Sequence, residues 1–212
     1  MRFEDRRDAG RRLAPAVEEL DLRDTVVLAL PRGGVPVGDE VARALDVPLD
    51  VVVARKVGAP RQPELGIAAI AEDGTLVVGE VAAMVGVEPG ELDDLAAREA
   101  VELERRVLTY RGGRDLPDLA GRDVVVVDDG LATGITAEAA IRSIRHQHPR
   151  RLVLAAPVCA PDTVERLASV VDDVVCVATP RSFQAVGAWY RRFDQTTDAQ
   201  VLDVLARHHG RR

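Results

Sequence analysis

The stretch "VVVVDDGLATGIT", residues 124–136, sets two adjacent carboxylates, Asp128 and Asp129, between a β-branched run and a loop of small and hydroxylated residues. Four successive valines suit a buried strand, so the acids fall where that strand would end. In an open parallel sheet, ligands bind beyond the carboxyl ends of the strands. The loop into the next helix then offers backbone amides and the positive end of a helix dipole. Gly130 and Gly134 let the backbone approach a ligand closely, and Thr133 and Thr136 add hydroxyl donors. The loop therefore suits an anion. Asp128 and Asp129 would repel that anion but accept hydrogen bonds from sugar hydroxyls beside it. A sugar phosphate carries both features; the competing reading is a tight turn with an acidic N-cap ahead of an ordinary helix.

Three other stretches carry chemistry of the same kind. "ALPRGGVPVGDEVA", residues 29–42, again leads from a strand into a helix, and Arg32, Gly33 and Gly34 could offer a guanidinium and backbone amides to a second anion. Taken alone it reads as a helix-opening turn. "ARKVGAPRQPELG", residues 54–66, groups Arg55, Lys56 and Arg61 with glycines and prolines in no regular period, which also fits a solvated basic loop. "TPRSFQAVGAWYRRFDQTTD", residues 179–198, concentrates Phe183, Trp189, Tyr190 and Phe193 in a chain that is only 3% aromatic. His146, His148, His208 and His209 show no metal-ligand spacing and read as structural or solvated, the last two in a tail with Arg211 and Arg212.

The elements that must position these residues follow from hydrophobic pattern. Apolar runs at 25–30, 49–54, 123–128, 151–156 and 173–178 are continuous and not alternating, as in a parallel sheet covered on both faces. Helical stripes lie between them: Val37, Val41, Ala44 and Leu45; Ala137, Ala140, Ile141 and Ile144; Val164, Leu167, Ala168 and Val171. Residues 66–79 predict a hairpin turning at Asp73-Gly74, and residues 88–110 a helix with Leu92, Ala96, Ala100, Leu103 and Val107 on one face. The expectation is an α/β fold, an open parallel sheet flanked by helices. It forms a single domain over 1–212, with a helical and hairpin insertion at about 66–118 and a small C-terminal hood at about 179–198.

Composition narrows the function. With 35 acidic against 28 basic residues the net charge is −7, which argues against a nucleic-acid binder working through phosphate neutralisation. No apolar run approaches the about 18 residues of a membrane span, and the first residues lack the apolar core of a signal peptide. A cytoplasmic protein is expected, with Cys159 and Cys176 as plain core thiols.

The Val124–Thr136 stretch resembles the phosphoribosyl pyrophosphate signature of type I phosphoribosyltransferases: an apolar strand, two acids, then a small-residue loop with Thr-Gly and a closing Thr. The resemblance implies that Ala132, Thr133, Gly134, Ile135 and Thr136 hold the 5-phosphate, with Asp128 and Asp129 on the ribose hydroxyls. It implies that the Arg32-Gly33-Gly34 turn, often with a non-proline cis peptide, holds pyrophosphate. It also implies a mobile loop around Arg55 and Lys56 that closes over the leaving group, and a hood in which Phe183 stacks on the base with Trp189 and Tyr190 nearby. Packing of the hood itself is the other reading of Trp189 and Tyr190. Over nearly the whole chain the resemblance is to uncharacterised bacterial predicted phosphoribosyltransferases.

The implied reaction is Mg²⁺-dependent displacement of pyrophosphate from ribose carbon 1 by a ring nitrogen. The metal enters through the ligand, within reach of Asp128 and Asp129, and Arg32 and Lys56 steady the leaving group. Partners are phosphoribosyl pyrophosphate, a small-molecule base and a second copy in a homodimer, with no nucleic acid and no membrane. Ala132 stands where oxopurine members carry an acid, and no Lys or Arg lies between Ala155 and Pro161 to read a base oxygen, whereas the hood resembles the oxopurine branch. The acceptor base and the general base therefore stay open. The rival from another class is a non-catalytic sensor of phosphoribosyl pyrophosphate or a nucleotide.

Overall fold

The computed structural model describes residues 2–209. Its elements run α1 (Arg6–Glu18), β1 (Thr25–Ala29), α2 (Gly34–Leu45), β2 (Leu49–Val51), β3 (Ala54–Ala59), β4 (Gln62–Ala71), β5 (Leu76–Val78), α3 (Glu80–Met84) and α4 (Pro89–Arg111). They continue β6 (Asp123–Val127), α5 (Ile135–Arg145), β7 (Arg151–Val158), α6 (Pro161–Leu167), β8 (Asp173–Ala178) and α7 (Asp198–His209). Strands β2-β1-β6-β7-β8 form one sheet, and β3-β4-β5 a second. All pairings in the five-stranded sheet are parallel.

The continuous apolar runs do what their pattern requires. Along β1, β6 and β7, alternate residues enter opposite cores: Val27, Val125 and Val153 pack with α1, α2 and α7, whereas Val26, Val124 and Leu152 pack with α5 and Leu167. Neither face of these strands meets water, and after the opening Thr25, Asp123 and Arg151 none of them carries a polar side chain. The open five-stranded parallel sheet flanked by helices matches the expectation.

Several local readings need correction. Ala44 and Ala168 are exposed, and the buried side of α2 runs through Val37, Gly38, Val41 and Ala42. The basic stretch at 54–66 is a hairpin arm: β3 pairs antiparallel with β4, which starts at Gln62 and not Gly66 before turning at Asp73-Gly74 into β5. Three helices went unread: α1 and α7, whose charged residues interrupt the apolar stripe, and α3, which is only five residues long. Cys159 and Cys176 are not free thiols; neighbouring strands β7 and β8 bring their Cα atoms to 6.4 Å and they form a disulfide. Of the two readings of His208 the structural one holds: it is buried against Asp39 at 2.9 Å, docking α7 on α2. His146 is exposed and contacts Asp73 at 3.1 Å. Arg211 and Arg212 lie outside the described residues.

Candidate active site

Asp128 and Asp129 follow β6 directly, at the carboxyl edge of the sheet between β1 and β7. Burial pushes the Asp128 carboxyl well above its ordinary range, and the charge of Asp129 beside it pushes the same way. Burial also raises Asp129, against the pull of the Arg6 guanidinium. Arg6 Nε lies 2.7 Å from Asp129 Oδ2, and the side chains of the pair are only 12% and 14% exposed. The backbone N–H of Asp129 donates to Asp128 Oδ1 at 2.8 Å. Two carboxylates are thus held at one lip, with one cation in contact with Asp129.

The loop beyond is fixed from behind. Thr163 Oγ1 donates to the carbonyl of Ala132, and Arg166 donates to the carbonyl of Thr133 while pairing with buried Glu138 of α5. Leu131 N–H donates to Val158 O at 2.9 Å, and Ala160 N–H returns to Leu131 O at 2.8 Å. Gly134 then caps α5 in the left-handed region, at φ 63°. A Cβ there would stand 2.6 Å from Thr163 Cγ2 as well as adopting a disfavoured backbone, so the position needs glycine twice over. No side chain caps α5, whose first amides have no acceptor within the helix. The Ala132 and Thr133 carbonyls are thus committed to side chains behind the loop, while the uncapped amides at the start of α5 remain for an acceptor outside the helix.

The second turn meets the first at the acids. The Pro31–Arg32 peptide is cis, and a Cβ on Gly33 would fall 2.0 Å from Asp129 Oδ2, so only glycine lets the turn lie against the carboxylate. Gly34 begins α2, also without a side-chain cap. Arg32 points across to α7, where its Nη1 is 3.4 Å from Asp198 Oδ1, an atom that also accepts from Tyr110 Oη at 2.6 Å. The Tyr110 hydroxyl is pushed up to about 12 by burial and by that hydrogen bond. Arg55 donates to Glu99 of α4 at 2.9 and 2.6 Å, and exposed Lys56 donates to the carbonyl of Glu64 at 2.7 Å. Arg32 lies in the turn before α2 whereas Arg55 and Lys56 are neighbours on β3, and each has an internal partner.

The hood divides. Phe183 and Trp189 are half-buried and pack beside Phe3 and Val158. Tyr190 has no free face for a base: it is 4% exposed, its ring centroid lies 5.4 Å from Phe3 and 4.9 Å from Phe193, and its hydroxyl donates to Asp129 O at 2.5 Å. Tyr190 is a pillar beneath the acids. Sequence reasoning missed Arg6, Thr163, Arg166 and Asp198, which arrive from distant parts of the chain. The one available signal for Arg6 was Asp5 as an N-cap followed by buried Ala9, Leu13 and Val17 at helical spacing.

Fold and site together define an α/β protein with a glycine- and threonine-bearing loop and an acidic pair at the carboxyl edge of a parallel sheet. Residues 5–188 match the family model of the phosphoribosyl transferase domain, and the chain belongs to that family. It is 48% identical over 208 residues to two Mycobacterium tuberculosis proteins, MT0597 and Rv0571c, which carry provisional phosphoribosyl transferase names. That match covers 98% of this chain and 47% of theirs, so the chain spans about half the length of these relatives. The crystal structure of TT1426 from Thermus thermophilus superposes with a TM-score of 0.82 at 47% identity, over 98% of this chain and 99% of that one. AQ2163 from Aquifex aeolicus shares the fold alone, at 15% identity and TM-score 0.50 over 94% of this chain and 84% of its own.

Proposed function

We propose that the protein is a Mg²⁺-dependent phosphoribosyltransferase that moves ribose 5-phosphate from phosphoribosyl pyrophosphate to a nitrogenous base or related acceptor. The observation that carries this reading is the half-buried Asp128–Asp129 pair at the rim of a loop whose carbonyls are tied back by Thr163 and Arg166. Residues 132–136 bind the 5-phosphate and the two carboxylates accept from the ribose hydroxyls. As the bond from carbon 1 to the pyrophosphate oxygen breaks and the bond to the acceptor nitrogen forms, the acids offset positive charge growing on the ring. Arg32, Gly33, Gly34, Arg55 and Lys56 receive the pyrophosphate, and Phe183 and Trp189 flank the base. The acceptor loses a proton, for which no side chain is assigned.

Among the described residues no group of three or more His, Cys, Asp or Glu could hold a metal. Two adjacent carboxylates nevertheless fit Mg²⁺, which binds through one or two carboxylates plus substrate phosphates and keeps the rest of its shell as water. When bound, the ion would neutralise charge on the departing pyrophosphate. The same reading keeps the protein in the cytoplasm as a homodimer that acts on small molecules and not on nucleic acid or membranes.

The test is pyrophosphate release from phosphoribosyl pyrophosphate with Mg²⁺ and a panel of purine and pyrimidine bases. Release with at least one base, abolished by a chelator, is expected. Calorimetric binding of the donor without release for any acceptor would make the protein a sensor, and no binding would overturn the reading altogether.

A further inference from the structure

Arg6 stands at the junction of three parts of the molecule. It opens α1, yet its side chain leaves that helix's packing face and enters the site. Its Nε reaches Asp129 Oδ2 at 2.7 Å, its Nη1 donates to the backbone carbonyl of Asp194 in the hood at 2.6 Å, and its guanidinium carbon lies 3.9 Å from the centre of the Phe193 ring. Three of the surfaces a guanidinium offers are therefore used: one nitrogen for charge, one for a carbonyl, one face for an aromatic ring. A lysine ammonium has donors enough for the two oxygens but lacks the planar fork and face, so it could not keep both hydrogen bonds and the ring contact together.

Asp129 is correspondingly constrained. Gly33 lies against one side of its carboxylate, Arg6 holds Oδ2, and its own carbonyl is taken by Tyr190. Its rotamer is thus set by α1, by the turn before α2 and by the hood together. A carboxylate that must meet two hydroxyls of one ring needs such constraint, because an aspartate free to rotate forfeits part of its binding energy to ordering.

We infer that Arg6 is a positioning residue for donor binding, acting through Asp129 and linking the hood to the ribose-holding acids. The inference rests on the proposed function, since it assigns Arg6 to that same site. Phosphoribosyl pyrophosphate affinity is its readout and needs no knowledge of the acceptor.

The experiment is a double-mutant cycle on the full chain, measured by calorimetry with phosphoribosyl pyrophosphate and Mg²⁺ for wild type, Arg6→Gln, Asp129→Asn and the double variant. Arg6→Gln is expected to weaken binding about tenfold in the wild-type background and less than about twofold once Asp129 is already Asn, the coupling expected of residues in direct contact. Arg6→Lys should fall between wild type and Arg6→Gln, and if Arg6→Gln does not fold, the same cycle is run with Arg6→Lys, whose smaller deficit must likewise vanish in Asp129→Asn. An equal loss in both backgrounds would show that Arg6 only anchors the hood. Unchanged affinity in Arg6→Gln would remove it from the site. Failure of wild type to bind would count against the proposed function itself, which separates the two failures.

Discussion

The two ends of the proposed donor site are built in opposite ways. At the monoester end, the loop carbonyls are held by Thr163 and Arg166, Gly134 fixes the turn, and α5 behind it is buried along Ala137, Ala140, Ile141 and Ile144. At the leaving-group end, each cation is engaged inside the protein: Arg32 with Asp198, Arg55 with Glu99, Lys56 with the Glu64 carbonyl. Lys56 and Arg55 also ride on a hairpin whose outer residues, Pro60 to Glu64, are exposed. The phosphate cup is preorganised, so it should set ground-state affinity. The pyrophosphate grip must exchange internal partners for ligand, so it should act mainly as charge leaves carbon 1.

The largest expected effect lies between the two ends. Replacing both acids, Asp128→Asn with Asp129→Asn, keeps volume but removes the charge that faces the developing cation and turns one acceptor oxygen of each side chain into a donor. Turnover should fall more than about a thousandfold with circular dichroism unchanged; undiminished pyrophosphate release would end the ribose-holding role. The next two substitutions sharpen the contrast. Lys56→Ala should lower kcat about a hundredfold and leave KM for the donor within about twofold. Gly134→Ala should raise that KM about tenfold, since a left-handed backbone costs a non-glycine residue about 1–2 kcal/mol and its Cβ would also press on Thr163 and Leu167. If Lys56→Ala acts on KM and Gly134→Ala on kcat, the division between a rigid end and an assembled end is wrong.

The same contrast explains what the sequence disclosed. The phosphate loop was legible because everything that builds it is local: a strand of valines, two acids, Gly134 at the cap and a helix stripe all fall within residues 123–145. The five parallel strands were legible for the same reason, being buried on both faces and therefore continuously apolar. What the residues touch was not. Arg6 meets Asp129 across 123 positions, and Arg32 meets Asp198 across 166. Arg6 is one of several arginines in the first 12 residues, and nothing local separates it from Arg7 or Arg11, which pair with Glu40 on the surface of α2. Tyr190 misled for a related reason: an aromatic in a hood can stack on a ligand or support the hood, and only its neighbours Phe3 and Phe193 decide between them. Cys159 and Cys176, 17 positions apart with no motif between them, became partners only through the pairing of β7 with β8.

The smallest effect probes the cost of placing the acids where they are. Burial holds the Asp128 carboxyl above the usual carboxylate range, so the folded protein binds its proton more tightly than the unfolded chain does. Where the native state holds the extra proton, stability falls as pH rises, starting near the unfolded value of 3.8 and ending once the folded group has itself ionised. Above the unfolded value the acid therefore costs stability relative to a neutral group of the same shape, and Asp128→Asn alone should raise Tm even as it removes activity. At this chain length each kcal/mol corresponds to about 2–4 °C, well within calorimetric resolution. The gain should shrink as pH is lowered toward 4, because wild type then carries the neutral form as well. No comparable gain is expected from Lys56→Ala, whose exposed ammonium bears no such desolvation. A Tm for Asp128→Asn that is lower than wild type at pH 7, or a gain that grows in acid, would mean the carboxylate is stabilised by its surroundings and that the site is not strained toward binding.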